Sequence, residues 1–300
     1  MTYVASFHNH TRYSDGTYEV AELVDRAVEV NKTLSCDRGA MIKGLTIVDH
    51  DFYPNQEQMD LDQRCAEKYG VELIFGTELD TDNGDVHVIG YNIDPTNFFL
   101  LRYLIKEQYK RLEAFEITCH KLNRFFELEG KTIDLDGDVG PKTLKKNSKG
   151  QFTGQGPLRW HYLRQAMVEK GMIHDIREAD ILIGPVGPCY HQRATMDSVT
   201  VVENILKWGG KPVLAHPHKI PERFRWRVIN SLIEAGLAGI EAFTSSYAKP
   251  EESNIYARIA KENNLLILAG TDLHQNIDDI GSFLLPYERF EQLRNGDSPS

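Results

Sequence analysis

The chain is poor in cysteine, has no long apolar run and carries no surplus of positive charge. Its four cysteines, Cys36, Cys65, Cys119 and Cys189, are scattered over 300 residues without a Cys-x-x-Cys pair. That spacing argues against a disulfide framework or a zinc knuckle and makes a reducing cytoplasm the expected compartment. No apolar run approaches the roughly 18 residues of a membrane-spanning helix, and no basic segment with an apolar core opens the chain. No membrane partner is therefore expected. A formal charge of −10 speaks against a broad basic surface, so duplex DNA is not an expected partner. A small phosphorylated substrate stays open, because bound divalent metals reverse the local sign of a site. Neither Gly-x-x-x-x-Gly-Lys nor Gly-x-Ser-x-Gly occurs, which removes a phosphate-cradling loop and a serine-elbow nucleophile.

What the chain does have is histidine in unusual places. Tyr3-Val4-Ala5 reads as a short strand running into Phe7-His8-Asn9-His10, and residues i and i+2 of a strand share a face. His8 and His10 can therefore reach one point, and Asp15 follows in a Ser-Asp-Gly turn able to fold back towards it. The β-branched run Gly44–Val48 ends in Asp49-His50-Asp51, and Val71–Phe75 ends in Gly76-Thr77-Glu78. A strand over 85–91 carries His87, facing the side opposite Val86 and Val88. Pro212–Ala215 ends in His216-Pro217, and Leu265–Gly270 ends in Thr271-Asp272-Leu273-His274. Six of the 11 histidines thus stand at or beside strand ends. Imidazole with carboxylate suits Zn, Fe or Mn better than Ca or Mg.

Between these strands lie helical patterns over 18–32, 55–69, 198–208, 222–235 and 250–263. Strands alternating with helices, with ligand-type residues at the strand ends, predict an α/β fold of the (β/α) barrel kind. Residues 97–195 break the alternation with a long helical stretch to Gly130, a polar segment over 130–156 and two further helices split at Gly171. The expected division is a barrel over 1–96 and 196–300 and an inserted, mostly helical cap subdomain over 97–195. The insertion is expected over the mouth, since it leaves the barrel after the strand carrying His87.

Five pieces in this order, His8-Asn9-His10-Thr11 with Ser14-Asp15-Gly16, Val48-Asp49-His50-Asp51, Gly76-Thr77-Glu78, Ala215-His216-Pro217 and Gly270-Thr271-Asp272-Leu273-His274, resemble the PHP (polymerase and histidinol phosphatase) metal-dependent phosphoesterases. They span nearly the whole chain apart from the insertion. Ser6-Phe7 and Val48 depart from the family's usual Asp-Leu and Thr, without removing a ligand. The resemblance implies a distorted seven-stranded barrel and three divalent metal ions, Mn, Fe or Zn. It implies His8, His10, Glu78 and Asp272 at the first metal, with Glu78 bridging to a second held by His87 and His216. Asp15, His50 and His274 would hold the third. Phosphoester hydrolysis by a metal-bridging hydroxide follows, with no catalytic side chain beyond the metal-bound hydroxide.

Within the insertion, Leu158-Arg159-Trp160-His161-Tyr162-Leu163 resembles the Arg-Pro-His-Ile-Ala helix of one PHP branch, with Trp160 in place of Pro. That branch hydrolyses nucleoside 3′,5′-bisphosphates and the ends of short oligoribonucleotides. Arg159 and His161 become candidate phosphate binders, and His191 and Arg193 weaker ones. The expected partner is a small nucleotide phosphate or short RNA. The rivals are a histidinol-phosphate phosphatase and a non-enzymatic, metal-stabilised binding or regulatory module. Asp134-Leu135-Asp136-Gly137-Asp138 opens like a calcium loop, but Val139 and Lys145 stand where that loop needs Gly and Glu. Lys145-Lys146-Asn147-Ser148-Lys149 reads as a solvated loop.

Overall fold

A computed structural model describes residues 2–82, 85–146, 152–155, 158–244 and 250–295. Asn147, Ser148 and Lys149 of the lysine-rich run lie outside the described residues. No helix among the described residues is long and apolar enough to cross a membrane. The chain divides into two compact units, Met1–Leu104 with Thr195–Ser300, and Ile105–Ala194.

The first unit begins with β1 (Thr2–Asn9), α1 (Val20–Asp37), β2 (Ala40–His50), α2 (Gln56–Glu67), β3 (Glu72–Asp80) and β4 (His87–Tyr91), after which α3 (Phe98–Phe125) passes into the second unit. The second unit contains the short hairpin β5 (Leu144–Lys146) and β6 (Phe152–Gln155), then α4 (Trp160–Glu169) and α5 (Ala179–Ile183). The first unit resumes with α6 (Ser198–Lys207), β7 (Lys211–Leu214), α7 (Glu222–Glu234), β8 (Gly239–Thr244), α8 (Pro250–Glu262), β9 (Leu266–Gly270), β10 (Leu285–Pro286) and α9 (Tyr287–Asn295).

One eight-stranded sheet runs in the order β10-β1-β2-β3-β4-β7-β8-β9. It curls until its ends meet. Past β9, Thr271 N donates to Phe7 O, Leu273 N to His8 O and His10 N to Leu273 O, lacing the far edge onto β1. The resemblance implied seven strands; the additional one is the two-residue β10, which pairs antiparallel with β1. β4 also departs from a uniform parallel barrel, running antiparallel to both β3 and β7.

Helices cover the outside of the barrel. The stripe Val20, Leu23, Val24 and Ala27 of α1 packs there, with Val201, Val202 and Ile205 of α6 and Ile229 and Leu232 of α7 in the same core. Leu100, Tyr103 and Leu104, in the first turns of α3, belong to this barrel core as well, so the two units divide inside α3. A second core fills the barrel, where Phe7, Val48, Ile74, Ile89 and Leu268 meet Tyr287, Phe290 and Leu293 of α9. The sequence reading left α9 out, although its apolar residues recur every three positions on a polar background. Gly44 makes room for it, because a Cβ there would lie 2.7 Å from the Phe290 ring. In the second unit Phe115, Cys119, Leu122 and Phe126 pack against Leu163 and Met167 of α4 and Leu182 and Ile183 of α5. Trp160 stacks on Phe115 with ring centroids 4.4 Å apart.

β2 begins four residues before the expected Gly44, paired with β1 from Thr2 onwards, whereas its pairing with β3 starts only at Gly44. On the unpaired side Asn31 of α1 substitutes for a strand. Its Oδ1 accepts from Ile42 N at 2.6 Å, and its Nδ2 donates to Ile42 O at 3.0 Å. Buried main-chain groups that lose their partners cost about 1–3 kcal/mol each. Asn31→Leu is therefore expected to lower stability by about 2–4 kcal/mol, read from the urea midpoint at unchanged slope. An unchanged midpoint would show that β2 does not depend on this amide.

Candidate metal centre

Parallel strands end together, so side chains at their last residues enter a common space. His50 is the last residue of β2, Glu78 lies two residues before the end of β3, and His8 is the next-to-last residue of β1. His10 and Asp15 follow in the loop after β1, His216 follows β7, and Asp272 and His274 follow β9. His87 is the exception, being the first residue of its strand. Antiparallel pairing of β4 sets His87 opposite Asp80, at the end of β3, and so delivers it to the same mouth.

All nine expected ligand residues gather around Glu78, which is completely buried. Glu78 Oε2 is 3.2 Å from His8 Nε2, 3.2 Å from His10 Nε2 and 3.3 Å from His50 Nε2. Its Oε1 lies 3.0 Å from His87 Nδ1 and 2.9 Å from His216 Nε2. Asp272 Oδ1 stands 3.5 Å from the Nε2 atoms of both His8 and His10, and 3.5 Å from His274 Nδ1. Asp15 Oδ1 is 3.3 Å from His274 Nε2, and Asp15 Oδ2 is 4.0 Å from His50 Nε2.

Three groups of donor atoms each lie within 4.8 Å of one another: His8, Glu78, His216 and Asp272; His10, Asp15, His50 and His274; and His50, Asp80 and His87. His10 borders two of them, with Nε2 towards Glu78 and Nδ1 3.9 Å from Asp15. Asp80 was missed by sequence reasoning, yet it stands two residues after Glu78 and so on the same face of β3. It lies 3.2 Å from His50 Nδ1 and 3.8 Å from His87 Nε2. Glu241 was missed too. It is a buried carboxylate within the apolar run of β8, 2.7 Å from His8 Nδ1. A charge inside a central strand was the available signal, since buried carboxylates must be partnered.

Electrostatics match a cation site. Burial on its own lowers the proton affinity of His10 and His87. Asp272 and Glu78 beside His10, and Glu78 and Asp80 beside His87, outweigh it and lift both to about 9. His216 responds the other way, lowered to about 3 chiefly by its burial. Glu78, despite a burial that favours its neutral form, is held well below the usual carboxylate range by His50, His8 and His87. Burial disfavours a charge on His8, but Glu241 at its Nδ1 and Glu78 at its Nε2 outweigh it and raise its proton affinity well above the usual value, so Nε2 faces Glu78 Oε2 through a proton that a metal ion would replace. Six imidazoles and three carboxylates arranged this way fit borderline divalent metals.

The backbone around the site is bent to hold this arrangement. His8, His216 and Asp272 have φ of 59°, 26° and 50°, three of the six non-glycine residues with positive φ among those described. Such conformations cost about 1–3 kcal/mol each and persist where surroundings enforce them. Here His8 N donates to Thr46 Oγ1, and Thr271 Oγ1 donates to His8 O. In the loop carrying His10 and Asp15, Thr11 N, Thr11 Oγ1 and Ser14 Oγ all donate to the buried carboxylate of Asp49. Lys219 reaches Asp272 Oδ2 at 2.6 Å.

The four expected phosphate binders lie in the second unit. Arg159 is buried at the N-terminus of α4, and His161 in the first turn meets Gln165 Nε2 at 2.8 Å. His191 and Arg193 occupy the segment that leads out of the unit, with Arg193 Nη1 3.9 Å from the buried Glu107.

No family model matches the chain. Two curated proteins resemble it over most of their length. The 5′-3′ exoribonuclease Rnm of Escherichia coli is 25% identical over 284 residues, 91% of this chain and 85% of the relative. The 3′,5′-nucleoside bisphosphate phosphatase of Chromobacterium violaceum is 25% identical over 278 residues, 89% of this chain and 86% of the relative. Among solved structures, a protein assigned as a metal-dependent phosphoesterase from Bifidobacterium adolescentis superimposes with a TM-score of 0.74 at 20% identity, covering 96% of this chain and 94% of that one. The chain shares that protein's fold, an α/β barrel of the kind the sequence resemblance implied. An amidohydrolase from Chromobacterium violaceum, solved with sulfate and no metal, superimposes with a TM-score of 0.70 at 23% identity over 97% of this chain and 96% of that one.

Two histidines held near pH 9 have a measurable consequence, because a ligating nitrogen must give up its proton. Zinc binding to metal-free protein at pH 7.5 is expected to release protons, and its apparent affinity to rise from pH 7 to pH 9. Calorimetry in two buffers of different ionisation enthalpy measures the release; identical heats would contradict it. In the metal-free fold the same raised pKa values contribute stability that is complete below about pH 6.5 and lost as pH rises through about 9.

Proposed function

We propose that the protein is a metal-dependent phosphoesterase acting on small nucleotide phosphates, such as nucleoside 3′,5′-bisphosphates, or on the ends of short RNA. The observation carrying this reading is the convergence of six imidazoles and three carboxylates, Glu78 at their centre, at the barrel mouth. Further support is the 25% identity, across some nine-tenths of the chain, to an exoribonuclease and to a nucleoside bisphosphate phosphatase.

His8, His10, Glu78 and Asp272 would hold one metal, Glu78 with His87 and His216 a second, and Asp15, His50 and His274 a third. Bound divalent metals supply an acidified water as nucleophile and polarisation of the phosphoryl oxygens. The chain's own residues set the charge around that chemistry. Three carboxylates do not neutralise three divalent ions, so the loaded mouth keeps an excess of positive charge that attracts a phosphate dianion. Lys219, beside Asp272 at the rim, adds an ammonium that can donate to a phosphoryl oxygen. The strained turns at His8, His216 and Asp272 keep ligand geometry fixed while charge develops on the substrate. Arg159 and His161 would be candidates to bind a substrate phosphate, the first as a bidentate fork and the second as a charged donor.

Phosphate release by metal-replete protein from a 3′,5′-bisphosphate, AMP, histidinol phosphate and short RNA tests the reading. Turnover is expected for the nucleotide substrates, and none of any phosphoester would refute it. Glu78→Ala should remove bound metal and cut activity to below about 1% of wild type; full activity in that variant would overturn the site. Arg159→Ala should raise KM for a bisphosphate about tenfold or more, the effect of one lost charge-assisted hydrogen bond. An unmoved KM would take Arg159 out of substrate binding.

A further inference from the structure

Glu241 belongs to none of the proposed ligand groups, yet it touches two of the residues in them. The carboxylate is 1% exposed, and no lysine or arginine among the described residues forms an ion pair with it. Oε1 lies 2.7 Å from His8 Nδ1, and Oε2 accepts from His216 N at 2.9 Å. Gly270 of β9 leaves the space the carboxylate fills, since a Cβ there would stand 2.5 Å from Glu241 Oε2. β8 shifts register against β9 between Glu241 and Phe243, at the same level. A buried charge, a glycine beside it and an irregularity in the ladder occur together.

We infer that Glu241 is a positioning residue that fixes the tautomer of His8, placing its proton on Nδ1 and its lone pair on Nε2, where the metal is held. This rests on the metal-centre reading given above. Both partners of Glu241 are donors, the obligatory backbone N–H of His216 and the Nδ1–H of His8. A carboxylate accepts from both. A glutamine of the same shape offers one oxygen and one NH₂, so it can satisfy only one of them as an acceptor. The backbone N–H cannot change its role; the imidazole can. In Glu241→Gln the amide oxygen goes to His216 N, and the NH₂ drives His8 to accept at Nδ1 and carry its proton on Nε2. The lone pair then faces away from Glu78 and the metal. Carboxylate partners on metal-bound histidines are typically worth roughly 10- to 100-fold in metal affinity.

Zinc titration of the metal-free full-length chain, monitored by chelator competition, is the test. Glu241→Gln should lose affinity at one metal position by roughly 10- to 100-fold while its thermal unfolding stays cooperative. Ring ¹⁵N shifts, recorded on the zinc-loaded wild type, should show His8 protonated at Nδ1. A zinc-loaded wild type with His8 protonated at Nε2 overturns the inference whether or not the variant folds. Equal zinc affinity in wild type and Glu241→Gln also overturns it, while leaving the metal centre standing. A wild type that binds no zinc, manganese or iron would instead bring down the metal centre and this inference with it. Gly270→Ala, which crowds the carboxylate without touching a ligand, should weaken zinc binding in the same direction.

Discussion

Everything in this protein is arranged around one fully buried carboxylate, that of Glu78, with five histidine nitrogens within 3.3 Å of it. A charge in a dry interior is costly unless it is paired at close range. Four strands, β1, β2, β4 and β7, and their loops converge to supply the pairing. That accounts for the positive-φ residues at the strand ends, for the closing hydrogen bonds between β1 and the segment after β9, and for the second carboxylate beneath His8. The barrel is the scaffold; the mutual compensation of charges is what its upper edge is built to hold.

The nine groups stay close for opposite reasons in the two states of such a site. In the metal-free protein, protons on His10 and His87 bridge the acceptors, which is why both hold theirs to about 9. In the loaded protein, metal ions take that role and the protons leave. His216, lowered to about 3, is neutral at neutral pH; its one ring proton faces Glu78 from Nε2 and would have to move to Nδ1 for Nε2 to ligate.

Much of this was legible in the sequence, because ligand residues placed immediately after β-branched runs betray a barrel mouth. His8, His50, Glu78, His216 and Asp272 could be assigned that way. What could not be read follows from contacts between distant segments. The direction of β4 depends on its neighbours, and a five-residue apolar strand looks the same in either sense. β4 runs antiparallel to both β3 and β7, so the chain leaves it at Tyr91, the end away from His87. From there the first turns of α3 pack along the barrel wall, and the returning chain meets the mouth side where Met196 O accepts from Asp82 N. α9 escaped notice because its three apolar residues fill the barrel interior from outside the regular alternation. Glu241 reads as a strand residue until His8, 233 positions away, is seen against it.

The reversed β4 also bears on which length changes this chain can tolerate. Glu78, Asp80 and His87 all come from one antiparallel pair, with Asp80 facing His87 and Glu78 facing Ile89. Adding or deleting one residue between Asp80 and His87 shifts that pairing by one and turns the imidazole to the other side of the sheet. The second unit, Ile105–Ala194, supplies no strand to the barrel sheet, so its length does not set the pairing of β4 with β7. Within a single fold, the half-dozen residues between Asp80 and His87 are therefore tied in number to the register of the ligands, while the length of the second unit, Ile105–Ala194, is not.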